Sequence, residues 1–137
     1  MSNVTRRSID VPGLGHGQLP IPVASRVGPF IATGGVRGVD PSTGVMSADP
    51  REQVARMFHN LKTVVEAAGG SVDTVLKVTI FIKAPEVRAL LDLEWVMYFP
   101  DPANRPARHV LNYEGLGGGM VVQCEALAIA PHSRSLT

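Results

Sequence analysis

The stretch from residue 49 to residue 70 most constrains the fold, because it carries the signals of one amphipathic helix from start to end. Asp49 can cap the first turn, Pro50 suits the first helical position, and Glu52 completes a capping box. The glycine pair that closes the stretch is typical of a helix C-terminus. Between these signals the apolar residues recur at helical spacing and form one stripe, made of Val54, Met57, Phe58, Leu61, Val64, Val65 and Ala68. A helix of this kind has to pack against another element of the core.

Four stretches favour β-strands. Residues 30–33 are apolar and lie between turn signals, and residues 75–83 are rich in β-branched side chains. Two further strands are expected at about residues 108–112 and 120–130, on either side of a glycine loop. Alternation along the strand at 75–83 predicts one shared apolar face, made of Leu76, Val78, Ile80 and Ile82.

A second helix is expected to begin at Pro85 and Glu86 and to end before Pro100. Helical spacing predicts that one side of this helix carries Val87, Leu90, Leu91, Glu94 and Met97. Trp95 is interpreted simply as a packing residue. The order of strands, helix, strand, helix, strands predicts an α+β fold in which both helices cover one face of a mixed sheet.

A chain of 137 residues suits one domain over its whole length. We expect residues 1–19 to form an irregular N-terminal segment, because glycine and proline are frequent there, and residues 131–137 to form a tail. Along residues 120–130 both alternating faces carry apolar side chains. Helices can cover only one face, so the sequence predicts that the other meets a partner subunit in a homo-oligomer; a monomer is the alternative.

Composition excludes several classes of function. The net charge of +1 gives no basic footprint for nucleic acid, and no apolar run reaches the roughly 18–20 residues of a membrane helix. The single cysteine, Cys124, excludes an internal disulfide and favours a cytoplasmic protein. We expect Cys124 to be a buried, inert thiol. The four histidines show no metal-ligand spacing, so no metal site is predicted.

Several segments, in this order, resemble the Rid family (RidA/YjgF), which is often labelled endoribonuclease L-PSP. They are residues 26–35, 40–44, 53–69, 75–82, 106–108 and 125–128. The resemblance covers about residues 20 to 130. It implies a chorismate-mutase-like α+β fold, a homotrimer and ligand sites in the clefts between subunits. It also implies hydrolysis of reactive enamine and imine intermediates, with release of ammonia and a 2-oxo acid, and no cofactor.

The resemblance assigns roles to particular positions. The arginine after Pro-Ala holds the substrate carboxylate, and here it is Arg108, whose planar guanidinium matches two carboxylate oxygens. The family's water-positioning glutamate corresponds to Gln123. A tyrosine, a serine and an asparagine of the family correspond to Ile21, Gly34 and Asp92. The backbone around Gly34 and its neighbour Gly35 is expected to contact the ligand.

Gln123 departs from the family pattern in a way that affects the chemistry. A neutral amide can hold a water molecule but cannot accept its proton, and general-base help is typically worth about 10²–10⁴-fold. Glu125 shares a strand face with Gln123 and is one candidate base; His109, on the opposite strand face from Arg108, is the other. Gln123 is equally well interpreted as a hydrogen-bonded interface residue.

The leading hypothesis is a cofactor-free, deaminase-type hydrolase that acts on a small enamine, imine or related carboxylate. One alternative is a binding or chaperone-like trimer that keeps the carboxylate contact without hydrolysis. RNA cleavage is a weaker alternative, because the near-neutral charge argues against it. For Arg108 itself, a structural ion pair to Glu125 is the alternative to ligand binding.

Overall fold

The computed structural model describes residues 5–131, which hold seven strands and two α-helices. The elements are β1 (Arg7–Ile9), β2 (Ala24–Val27), β3 (Phe30–Thr33), β4 (Val36–Arg37), α1 (Pro50–Ala67), a 3-10 turn (Val72–Thr74), β5 (Val75–Ile82), α2 (Val87–Tyr98), β6 (Ala107–Asn112) and β7 (Val122–Ile129). Neither α1 nor α2 is long and apolar enough to cross a membrane. Apart from Pro131, the predicted tail at 131–137 lies outside the described residues.

One mixed sheet runs in the order β1-β2-β3-β7-β5-β6, and β4 pairs with β7 beyond the end of β3. Its pairings are antiparallel except for β5 with β6, which are parallel and connected by α2. Parallel neighbours need a long crossover connection, which α2 provides. Helix α1 packs against β7 and against α2. The α+β fold with both helices on one side of a mixed sheet, predicted from the sequence, is therefore confirmed.

Helix α1 begins where the sequence predicts. The Asp49 side chain accepts a hydrogen bond from the backbone N–H of Arg51 at 3.0 Å, and Pro50 is the first helical residue. The whole predicted apolar stripe is buried. Gly69 takes a positive φ of 98° directly after the helix, which a residue with a side chain rarely adopts.

Two buried amides on α1 anchor the loops around it. Asn60 donates from Nδ2 to the carbonyl oxygens of Arg37 (2.9 Å) and Val39 (2.7 Å). Gln53 donates to the Gly119 carbonyl at 3.0 Å and accepts from the Val121 N–H at 2.9 Å. Because unpaired backbone groups are costly when buried, these amides fix both β4 and the end of the glycine loop against the helix.

Three sequence predictions differ from the structure. Leu76 is not on the buried face but 61% exposed, because the pairing of β5 with β7 shifts register between Val75 and Lys77. Met97 is 71% exposed, and Trp95 instead completes the buried side of α2. Strand β1 lies within the segment 1–19, which was expected to be irregular, because its backbone pairs with β2 in a register that the local sequence does not signal.

The helix-free face of the sheet carries an apolar surface. Leu76 lies here with three more large, exposed apolar side chains, Val27, Phe30 and Leu127. They line a shallow hollow of about 240 Å³. The second apolar face expected from the alternation along residues 120–130 is present on the described chain.

The tight approach of β4 to α1 predicts that Gly38→Ala destabilises the protein. A Cβ at position 38 would lie 2.1 Å from the Gln53 carbonyl oxygen and 2.8 Å from its Cα, both backbone atoms of α1. Overpacking of this kind costs about 1–3 kcal/mol or more, so thermal unfolding should show a lower Tm. Gly117→Ala is the control, because a Cβ there meets open space. Equal Tm values for the two variants would contradict the packing described here.

Candidate functional site

Arg108 lies on the helix-covered side of the sheet, on the edge strand β6. It pairs in register with Val78 of β5, which in turn pairs with Ala126 of β7, and both neighbours are buried beneath the helices. Its Nη2 lies 2.8 Å from Oδ1 of Asp92 on α2. The structural ion pair weighed for Arg108 is therefore made to Asp92 and not to Glu125.

The guanidinium of Arg108 is also held against an aromatic ring. Its central carbon lies 5.0 Å from the centre of the Trp95 ring, a cation–π distance. Trp95 is itself fixed by Phe58 and Phe99, at ring-centre distances of 6.3 and 4.7 Å. The Nη1 atom of Arg108 is buried and has no hydrogen-bond partner among residues 5–131. This side chain is 21% exposed and the Asp92 side chain 57%.

Gln123 and Glu125 lie on the opposite, helix-free face. Glu125 pairs with Thr79, which pairs with His109, so these three residues form a row across β7, β5 and β6. Glu125 and His109 are exposed and separated by two interstrand spacings, roughly 10 Å. Gln123 lies one row further along, opposite Phe81. The predicted bases thus share a face with Gln123.

Within one chain the predicted site residues therefore form two separate groups. Arg108 and Asp92 lie on the helix side, whereas Gln123, Glu125 and His109 lie on the helix-free side. The expectation that Arg108 and His109 point to opposite faces is confirmed by this register. In a single copy of the chain the sheet therefore lies between the two groups.

Gly35, which follows Gly34 in the chain, lies beside Gln123. A Cβ at position 35 would be 2.7 Å from the Gln123 Nε2, so the amide lies directly against this glycine. The Gly34 N–H donates to the Val23 carbonyl at 2.8 Å. Ile21, predicted to contact the ligand, is 52% exposed in the preceding loop.

His16 is a neighbour of this group that the sequence does not identify. Its Nε2 would lie 3.7 Å from a Cβ at Gly34, an ordinary contact distance, so the imidazole lies next to position 34. In the part of the chain that the structure describes, this Nε2 is buried without a hydrogen-bond partner. The only local signal is a histidine between two glycines, Gly15 and Gly17, which does not predict where the ring lies.

A larger groove lies elsewhere, between the turn at residues 40–47 and α1. Its volume is about 420 Å³, and its lining includes Asp40, Glu52 and Arg56. Hydrogen bonds from the hydroxyl and backbone N–H of Ser42 lower the pKa of Asp40. None of the residues predicted for the site lines this groove, so size alone does not identify the functional region.

Cys124 is buried on the helix side of β7, as expected. Burial raises the pKa of its thiol well above the ordinary value, and the neighbouring Glu125 raises that pKa further. The reactive thiolate is therefore scarce at neutral pH. This cysteine takes no part in the site.

Comparison with known proteins gives a consistent result. The family described as Endoribonuclease L-PSP matches residues 22–130. A RutC family protein of Pyrococcus abyssi is 33% identical over 110 residues, which span 80% of this chain and 85% of that protein. The 2-iminobutanoate/2-iminopropanoate deaminase of Salmonella typhimurium is 31% identical over 104 residues, 75% of this chain and 81% of the deaminase. The crystal structure of RidA from an Antarctic Psychrobacter covers 90% of this chain and 98% of its own, at 27% identity and a TM-score of 0.82.

The raised pKa of Cys124 predicts slow modification of the native protein. A folded-state pKa above the unfolded value keeps the thiol protonated in the native state, so a disulfide reagent should react slowly between about pH 7 and pH 9. Absorbance of the released chromophore measures the rate. The same protein in denaturant is the control and should react completely. Rapid reaction of the native protein at neutral pH would contradict the burial of this side chain.

Proposed function

We propose, from the premise that this chain belongs to the endoribonuclease L-PSP (Rid) family, that it is a cofactor-free hydrolase of small 2-imino acids and their enamine tautomers. Water adds to the carbon of the C=N bond, the nitrogen leaves as ammonia, and a 2-oxo acid remains. The names of the deaminase relatives support this reaction class.

The fixed position of the Arg108 guanidinium is the observation that best supports the proposal. This guanidinium is positively charged, and the ring of Trp95 and the carboxylate of Asp92 limit its freedom to move. An arginine fixed in this way loses little entropy when a carboxylate binds. In the proposed site Arg108 holds the carboxylate of the substrate, and Asp92 borders it.

A second copy of the chain is proposed to complete the site. Arg108 and Gln123 lie on opposite faces of one sheet, so a shared ligand requires the Arg108 side of one copy to approach the Gln123 side of another. The exposed apolar surface around Phe30 and Leu127 supports burial of the helix-free face between copies. We propose a homotrimer, the assembly that the resemblance implies, with its ligands in the clefts between subunits. The cytoplasmic location expected from the single cysteine stays a prediction.

The chemistry of the second half of the site follows from Gln123. Its amide holds the attacking water beside the backbone of Gly34 and Gly35, and Ile21 contributes apolar contact. A carboxamide cannot take the proton of that water. Glu125, on the same face of β7, is the proposed proton acceptor, and His109 across Thr79 is the second candidate.

A binding protein without turnover is the second candidate function. The amide of Gln123 favours this function, because it cannot accept the proton that hydrolysis removes from water. In that case the trimer would bind small carboxylates at Arg108 and release them unchanged. RNA cleavage is not proposed, because a net charge of +1 provides no basic footprint.

Hydrolysis of 2-iminobutanoate, generated in situ by an amino-acid oxidase, tests the proposed function. The protein should accelerate 2-oxobutanoate formation above the rate in buffer, and Arg108→Ala should lower kcat/KM by about 10- to 100-fold, the loss expected when charge-assisted hydrogen bonds are removed. Arg88→Ala is the control, because it removes an equal charge from an exposed position on α2. No acceleration by the folded wild-type protein would exclude the hydrolase and leave the binding protein.

Replacing the amide at position 123 with a carboxylate tests whether the lack of a proton acceptor there limits turnover. Gln123→Glu keeps the shape that fits against Gly35 and adds a carboxylate, so kcat should rise by about tenfold or more while KM changes little. Gln18→Glu, an exposed residue of the N-terminal loop, is the matched control and should leave kcat unchanged. An unchanged kcat in Gln123→Glu would mean that proton transfer at this position does not limit turnover.

A further inference from the structure

Asp92 contacts the guanidinium of Arg108, which is proposed to bind the carboxylate of the substrate. Its Oδ1 lies 2.8 Å from Nη2 of Arg108, and the carboxylate is more than half exposed. The carboxylate of Asp92 therefore already lies beside the guanidinium that a ligand carboxylate would bind. The two side chains together form a neutral pair with both signs exposed at its surface.

The burial of Nη1 decides from which side a ligand can approach. This atom is enclosed by protein and has no hydrogen-bond partner within the described chain. The face of the guanidinium is covered by Trp95. A ligand carboxylate that reaches the exposed part of Arg108 is thereby directed to the Nη2 edge, where Asp92 lies.

Electrostatic interactions at the Nη2 edge of Arg108 distinguish ligands that share a carboxylate but differ in the group next to it. A plain carboxylate that shares Nη2 comes close to the carboxylate of Asp92, and like charges repel. A ligand with a cationic nitrogen on the carbon next to its carboxylate can place the carboxylate on Arg108 and the nitrogen on Asp92. Both charges of such a zwitterion are then compensated.

We propose that Asp92 is a specificity-determining residue, which with Arg108 selects ligands that carry a cationic nitrogen beside a carboxylate over plain carboxylates and 2-oxo acids. The selected class contains amino acids and protonated 2-imino acids. The inference rests on the proposed function in taking Arg108 as the ligand site. Hydrolysis turns the cationic nitrogen into a neutral carbonyl, so the product loses its contact with Asp92 and is released more readily.

Equilibrium binding of a matched pair of unreactive ligands tests this inference. The pair is 2-aminobutanoate and butanoate, which differ only in the amino group, and isothermal titration calorimetry on the intact assembly measures both Kd values. Wild-type protein should bind 2-aminobutanoate about fivefold more tightly, the ratio expected from one half-exposed charge contact. Asp92→Asn should remove this preference and bind butanoate more tightly than the wild-type protein does.

Two further variants separate the charge of Asp92 from its structural contribution. Asp92→Glu keeps the charge and should keep the preference for 2-aminobutanoate. Glu86→Gln removes an exposed charge from the start of the same helix, where it makes no side-chain capping bond, and should behave as the wild-type protein. Circular dichroism checks that each variant is folded.

The contradicting results are distinct from those of the hydrolysis assay. The inference is overturned if Asp92→Asn keeps the wild-type ratio of Kd values, if the wild-type protein binds the two ligands equally, or if it binds neither. Because binding is measured without turnover, a protein that hydrolyses no imine can still support the inference. Conversely, an active hydrolase whose Asp92→Asn variant keeps the wild-type ratio contradicts only the role of Asp92.

Discussion

The ion pair between Arg108 and Asp92, held over the ring of Trp95, is the interaction on which this account depends. It joins the edge strand β6 to α2, and α2 is fixed in turn because Trp95 contacts Phe58 of α1. The packing of the two helices therefore sets where a permanent positive charge lies and how much of it is exposed. A change in that packing would move the guanidinium of Arg108 without any substitution at Arg108 itself.

The division of the site residues between two faces of the sheet is the second constraint. It follows from the two-residue period of β-strands: Arg108 and His109 are neighbours in sequence, yet their side chains leave the sheet on opposite sides. The helix-free face carries exposed apolar side chains, and this is why we propose that another copy covers it. An assembly would then serve two needs at once, burial of this surface and completion of the ligand site.

The sequence predicts local features of this fold well and its long-range features less well. Helix α1 is recognisable because its cap and apolar stripe lie within one segment. The exposure of Leu76 is not recognisable from the sequence, because the register shift that causes it arises from pairing with β7, about 50 residues away. Asp92 and Arg108 are each suggested by the family resemblance, but their contact depends on how α2 packs over β6. The position of the His16 ring, whose Nε2 is buried, gives no signal in its flanking residues.

Complementation between two impaired variants tests most directly whether the site is shared between copies. Arg108→Ala and Gln123→Ala proteins are mixed, unfolded, refolded together and assayed for imine hydrolysis. If each site takes Arg108 from one subunit and Gln123 from another, random reassembly restores about a quarter of the sites, and the mixture becomes more active than either parent variant. If the mixture is no more active than its two components while forming mixed assemblies, both residues act within one chain, and the shared site is wrong.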